Sequence, residues 1–247
     1  MAGVLEGQVA WITGAGSGIG RATAIALGKA GASVILSGRQ VEALNQTAEL
    51  VAMKRERCEA VVEPLDIANS DMTDAAADRV ATRFGRLDLY VGAAGYNIPQ
   101  RRWSDLSGEA AGAIIATNLS GAYNATSAAL RVMRPRQQGL LIHIASWSGK
   151  RVAVHSGPAY TAAKFGLVAM SESLNLEVAS EGIRSTVISP GGVDTPLLDQ
   201  LPQPPSAEVR ARLLRPEDCA ALVLHVASLP ERLRIDEIVV TPTIQAG

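Results

Sequence analysis

Tyr160 and Lys164 stand four residues apart in the stretch Ala159-Tyr160-Thr161-Ala162-Ala163-Lys164, at the start of a segment of helical composition. Residues at that spacing share one helix face, so phenol and ammonium point the same way, one turn apart. A tyrosine hydroxyl has an ordinary pKa of about 10, which makes it a poor proton donor or acceptor near neutrality. A fixed cation beside it favours the phenolate and lowers that value. Bringing it to about 7 needs roughly 3 units, or about 4 kcal/mol of differential interaction. One lysine at a protein surface rarely supplies so much; a lysine together with the positively charged ring of a bound cofactor could. The pair therefore carries chemistry only if a cofactor site exists elsewhere in the chain. Taken alone, it reads as a surface tyrosine over a solvated lysine.

Such a site is written near the N-terminus. The turn Thr13-Gly14-Ala15-Gly16-Ser17-Gly18-Ile19-Gly20 follows the apolar run Val9-Ala10-Trp11-Ile12 and opens a segment of helical composition. Gly14, Gly18 and Gly20 let the backbone turn tightly and approach a pyrophosphate. The helix N-terminus then offers free N–H groups and the positive end of its dipole. The spacing is G-x-x-x-G-x-G rather than the commoner G-x-G-x-x-G, but strand, turn and helix together read as a dinucleotide site.

The elements that must position these residues alternate along the whole chain. Strands are expected at 9–12, 33–36, 60–65, 87–91, 140–145, 184–189 and 237–241. Helices are expected at 21–30, 41–53, 71–84, 107–133, 158–181 and 216–228. Residues 190–206, rich in Pro, Gly, Asp and Gln, read as a mobile loop or lid. Strand and helix in alternation mean an α/β fold: a single doubly wound domain over 1–247, with a parallel seven-stranded sheet and helices on both faces. The cofactor half covers about 1–105, and the catalytic and substrate half about 106–247. No internal repeat or low-complexity linker divides the chain.

The bulk properties narrow the partners. The chain has 247 residues, 47% hydrophobic and 19% charged, enough to bury a sizeable core. A formal net charge of -1 with no basic block argues against nucleic acid. Cys58 and Cys219 are far apart, form no C-x-x-C, and fit neither a disulfide scaffold nor a zinc site. No His/Cys/Asp cluster has metal-ligand spacing, so no metal is expected. The first residues show no charged-then-apolar leader, and a cytoplasmic location is expected. Residues 110–130 carry no charge, but Thr117, Asn118, Ser120, Asn124, Thr126 and Ser127 make membrane insertion costly, so they read as a packed helix.

In order along the chain, Thr13-Gly14-x-x-x-Gly18-x-Gly20, Ala93-Ala94-Gly95, Asn118, Ser146, Tyr160-x-x-x-Lys164 and Pro190-Gly191 closely resemble the short-chain dehydrogenase/reductase family. The resemblance spans nearly the whole chain and implies a Rossmann-type fold. It implies an NAD(P)-dependent oxidoreductase that acts on the CH–OH group of its donors. Tyr160 would be the general acid for carbonyl reduction or the base for alcohol oxidation. Lys164 would lower its pKa and hold the nicotinamide ribose, and Ser146 would hold the substrate oxygen. Asn118 would interrupt its helix and hold a water in a proton relay. Gly14, Ser17, Gly18, Ile19, Gly20, Ala93, Ala94 and Gly95 would cradle the dinucleotide, with Asp66 and Ile67 at the adenine. Pro190, Gly191, Val193 and Thr195 would line the nicotinamide amide. Tyr96, Ser148, His155 and Gly192 would face the substrate. In Ala145-Ser146-Trp147-Ser148-Gly149 the family pattern leaves two residues between serine and glycine, which selects Ser146 over Ser148. A homodimer or homotetramer that pairs the helices at 107–133 and 158–181 would follow.

The chain departs from the family at Gly92, where Asn is common, and in its tail, which lacks the usual Gly-Gly. At the end of the second strand stands Ser37-Gly38-Arg39 with no acid. A carboxylate there would bind the ribose 2′-hydroxyl of NAD; Arg39 can instead pair with a 2′-phosphate, which predicts NADP. An arginine stacked on adenine in an NAD enzyme is the alternative. His143 reads as a packed core histidine. Arg101, Arg102 and Trp103 read as a solvated loop, with a basic pair facing an acidic substrate as the rival. From another class, a non-catalytic dinucleotide-binding sensor or scaffold protein would keep the fold without the chemistry.

Overall fold

The computed structural model describes residues 3–53 and 59–244, and Cys58 lies outside them. Its elements run β1 (Val9–Thr13), α1 (Gly18–Lys29), β2 (Ser33–Gly38), α2 (Val41–Ala52), β3 (Ala60–Pro64), α3 (Ser70–Phe84) and β4 (Leu89–Gly92). The second half adds α4 (Gly108–Ile115), α5 (Gly121–Met133), β5 (Gly139–Ile144), α6 (Pro158–Val178), β6 (Ile183–Pro190), α7 (Ala207–Arg210), α8 (Pro216–Ala227) and β7 (Glu237–Val240). All seven strands form one parallel sheet in the order β3-β2-β1-β4-β5-β6-β7. Chain order reverses between β1 and β4, and at such a switch point the loops leaving the two strands part and open a crevice.

Alternation within the strands divides the core. Ala10 and Ile12 of β1 face a cluster with Leu27 of α1, Leu44 and Val51 of α2 and Val223 of α8. Val9 and Trp11 face the other way, against Ala76 and Val80 of α3, Ala125 and Met133 of α5 and Val178 of α6. Both faces of the central strands are therefore covered, which is why β1, β4 and β5 are wholly buried along their length. Local signals set several ends. Asn69 caps α3 by accepting from the Met72 N–H at 3.2 Å. Gly85 ends it at φ 65°.

The expected helix at 107–133 is present over 108–133, with one irregular turn at Asn118, as the resemblance implied. Between α4 and α5, Ala116–Ser120 forms one π turn, with Asn118 at its centre. The expected lid at 190–206 is partly built: Pro196–Gln200 is a 3-10 turn, and α7 follows it. No described helix is long and apolar enough to cross a membrane.

Candidate active site

The glycine turn shapes the crevice between β1 and β4. The Ala93 N–H donates to Thr13 O at 3.1 Å, so the two loops leave the sheet tied together. Gly14 has φ +71°, and a Cβ there would lie 2.6 Å from Ala94 N. Gly20 packs against the Gly14 carbonyl so closely that a Cβ would overlap it. Gly14 thus admits the β4 loop and Gly20 admits Gly14; no other residue fits either place. Ser17 precedes α1 without capping it by its side chain, and the first turn of α1 carries no acid. Its N–H groups and dipole are left for an anion.

Two chambers meet over this turn. One of about 220 Å³ is lined by Gly14, Ser17, Arg39, Asp66, Ile67 and Ala94 among others. The other, of about 430 Å³, is lined by Ser17, Gly18, Ile19, Ala93, Ser146, Tyr160, Lys164 and the stretch Pro190 to Val193 with Thr195. Gly14, Ser17, Ala94 and Gly95 belong to both walls. A cradle that a Cβ would fill, an open helix N-terminus and two joined chambers fit a dinucleotide. Gly20 is not in either wall: it supports the turn from behind.

Ser146 follows β5, and Tyr160 and Lys164 lie in the first turns of α6, which Pro158 opens. The Ser146 Oγ accepts from the Ser148 N–H at 3.1 Å, which leaves its proton and one lone pair for other partners. Lys164 is 3% exposed. Its Nζ lies 5.6 Å from the Tyr160 ring centroid and donates to Ile144 O at 3.0 Å. Burial lowers it to about 8. Burial pushes the Tyr160 phenol up, while the Ser146 hydroxyl and the Arg101 charge pull it down. Lys164 thus stands over the Tyr160 ring while bonded to the end of β5.

Asn118 is buried and clamps the loop after β4. Its Nδ2 donates to Ile114 O at 2.8 Å and Tyr96 O at 2.6 Å, and its Oδ1 accepts from the Tyr96 N–H at 3.3 Å. The bond to Ile114 O replaces helix pairing at the π turn. Both amide N–H groups are used, so a water would find only one Oδ1 lone pair.

Ser148 is buried and shares a 2.7 Å bond with Ser156 Oγ. His155 stands at the rim of the larger chamber, and burial, then the Arg101 charge, lowers it. Tyr96 corrects an expectation. It does not line the larger chamber; its ring lies 6.0 Å from the Arg39 guanidinium, and its main chain is held by Asn118. Asn97 takes the expected place in the wall. Arg101 corrects another: it is 4% exposed and lines the larger chamber, whereas Arg102 and Trp103 are exposed. Spacing gave no sign of this, since two of its partners, His155 and Gln200, lie far along the chain.

His143 is wholly buried on β5, and neither ring nitrogen has a partner among the described residues. Burial, then the Lys164 charge, lowers it to about 4. Between about 4 and 6.5 the unfolded chain binds more protons there, so stability falls as pH falls through that window. By pH 4 the loss is about 3 kcal/mol. His143→Phe is expected to flatten this slope. Urea melts at neutral and acid pH check it, and an equally steep slope in the variant would refute the assignment.

A family model described as short chain dehydrogenase matches residues 8–205. An uncharacterized oxidoreductase of Staphylococcus aureus is 34% identical over 97% of this chain and 99% of its own length. An alcohol dehydrogenase from the archaeon Thermococcus sibiricus, complexed with 5-hydroxy-NADP, superposes with a TM-score of 0.86 at 27% identity, over 97% of this chain and 98% of that one. A metagenomic short-chain oxidoreductase in complex with NADP gives 0.83 at 30% identity, over 98% of this chain and 100% of that one.

Proposed function

The chain belongs to the short-chain dehydrogenase family, and from that premise we infer that it is an NADP-dependent oxidoreductase interconverting a carbonyl and a secondary alcohol. One observation carries the reading: Ser146, Tyr160 and Lys164 line a chamber that continues past the glycine turn into a second one. When bound, a nicotinamide supplies a hydride to the carbonyl carbon or takes one from the alcohol carbon.

The chain's own residues do the rest. Tyr160 gives its proton to the carbonyl oxygen, and Ser146 donates a hydrogen bond to the same oxygen as charge grows on it. Burial keeps the phenol protonated through neutrality, the form needed for reduction. Lys164 reaches a ribose hydroxyl and adds its charge to the site. Gly14, Ser17, Gly18 and Ile19 hold the pyrophosphate at the start of α1. Arg39, at the smaller chamber with no carboxylate on the end of β2, takes a 2′-phosphate. Ala93, Ala94 and Gly95 flank the ribose; Pro190, Gly191, Val193 and Thr195 take the carboxamide. Asp66 and Ile67 edge the adenine, and Asn118 fixes the loop that carries Tyr96 and Asn97. Most of these cofactor contacts fall in the half of about 1–105, and the nicotinamide end reaches into the half of about 106–247. We also propose a cytoplasmic protein that works as a homodimer or homotetramer.

The test is nicotinamide absorbance with NADPH and NADH over a panel of aldehydes, ketones and alcohols. NADPH is expected to be favoured by roughly ten-fold or more in kcat/KM, the worth of one charge-assisted contact. A large preference for NADH would overturn the NADP assignment. Absence of turnover in both directions would overturn the oxidoreductase.

A further inference from the structure

Arg101 has a surplus that nothing in the chain resolves. Its Nε donates to Ile98 O, its Nη2 to Gln200 O and its Nη1 to His155 O at 3.5 Å. All three acceptors are neutral main-chain oxygens. Among the described residues no carboxylate pairs with it, and its resolved charge interactions are with the Tyr160 phenol and the His155 imidazole. A buried guanidinium without a counter-ion is costly. A clip between main-chain carbonyls does not need a charge, since any N–H donor makes such bonds.

The surroundings keep the group where it is. Gly157, just before α6, has φ +78°, and a Cβ there would meet Arg101 Cβ at 3.0 Å and overlap the Arg101 carbonyl. The bare glycine lets the Arg101 loop close against the start of the helix that carries Tyr160. Beside it are the buried Ser148–Ser156 hydroxyl pair and Asn97, whose Nδ2 donates to Ser156 O at 3.0 Å. Leu197, Leu198, Leu201 and Leu213 make other parts of the same chamber apolar. A guanidinium has five N–H donors, and three are used, so two remain.

We propose that Arg101 receives a carboxylate of the substrate, so that the enzyme acts on a carbonyl compound bearing both a carboxylate and an apolar body. The planar fork matches a carboxylate, and the ion pair supplies the missing counter-charge beside the reacting phenol. One guanidinium matches a monoanion; a phosphate dianion would leave charge uncovered at Arg101. This substrate class rests on the oxidoreductase reading above.

Three acids that differ in the distance between carbonyl and carboxylate test it: benzoylformate, acetoacetate and levulinate, each beside its methyl ester. With NADPH, at least one acid is expected to exceed its ester by roughly thirty-fold in kcat/KM. Arg101→Gln keeps N–H donors for the main-chain oxygens but removes the charge, and should bring that ratio to within about three-fold of unity. Arg101→Met is read the same way should the first variant not fold. A wild-type ratio near one, or a ratio that survives in the variant, overturns the carboxylate site while ester turnover leaves the oxidoreductase standing. Equal loss on acid and ester with a lowered melting midpoint shows a clip only, and also overturns it. The thermal midpoint separates the two readings when no compound turns over. A rise with the three carboxylates in the wild type but not in Arg101→Gln keeps the anion site and removes the oxidoreductase; no rise removes both.

Discussion

Tyr160→Phe is expected to lower kcat for carbonyl reduction by roughly 10³-fold, within the range usual for loss of a positioned general acid. The hydroxyl faces the same chamber as Ser146, and the change removes only that oxygen. The ring stays beside Lys164, 5.6 Å from its Nζ, so packing and the cofactor wall are kept. Cofactor affinity, read by fluorescence quenching, should therefore move by less than about three-fold, a fraction of a kcal/mol. The wild-type reduction rate should stay level through neutral pH, because burial holds the phenol above its ordinary value of 10.0 and the acid form persists. Turnover in the variant within ten-fold of the wild type would end the general-acid assignment. Unchanged binding of NADPH with no turnover in either protein would instead fit a sensor.

Lys164→Met is expected to separate activity from stability. The lysine is depressed from 10.5 to about 8 by burial alone, so at neutral pH the folded chain holds a charge it has desolvated. The sign follows from proton counts. Between about 8 and 10.5 the unfolded chain binds more protons, so this group adds stability as pH rises and withholds it below. The cost at neutral pH is about 3 kcal/mol. Methionine removes that cost and loses the bond to Ile144 O, worth about 1 kcal/mol. A net gain of about 2 kcal/mol corresponds to a melting midpoint roughly 4–8 °C higher at pH 7. The gain should shrink as the pH is raised from about 8 and be lost above 10.5, where the wild-type lysine becomes neutral in both states. Turnover should fall by about 10²-fold or more, as the site loses the ammonium beside the phenol. A midpoint several degrees lower at neutral pH would contradict the claim that the charge is held at a cost.

The parts of this molecule that were legible in its sequence are those governed by neighbours along the chain. Alternating apolar runs and helical segments follow local periodicity, and the parallel seven-stranded sheet agrees with them. The glycine turn was legible because only glycine satisfies two backbones at once, and Gly14 and Gly20 do so. Asn118 lies in a π turn held partly by Tyr96, a residue 22 positions away, so periodicity alone reads a straight helix there. Tyr96, held by the same clamp through its main chain, is not in the wall of the larger chamber. Arg101 reads as a loop cation because its polar sequence neighbours are exposed, yet Gln200, 99 positions on, draws it inside. The Tyr160 and Lys164 spacing was read correctly, but the lysine's bond to Ile144 O depends on how α6 lies across the end of β5.

The wall that the two chambers share is built from Gly14, Ser17, Ala94 and Gly95. A guest that fills only one side forfeits the grip of the other. The loops that cross there therefore favour two-headed molecules long enough to reach both chambers.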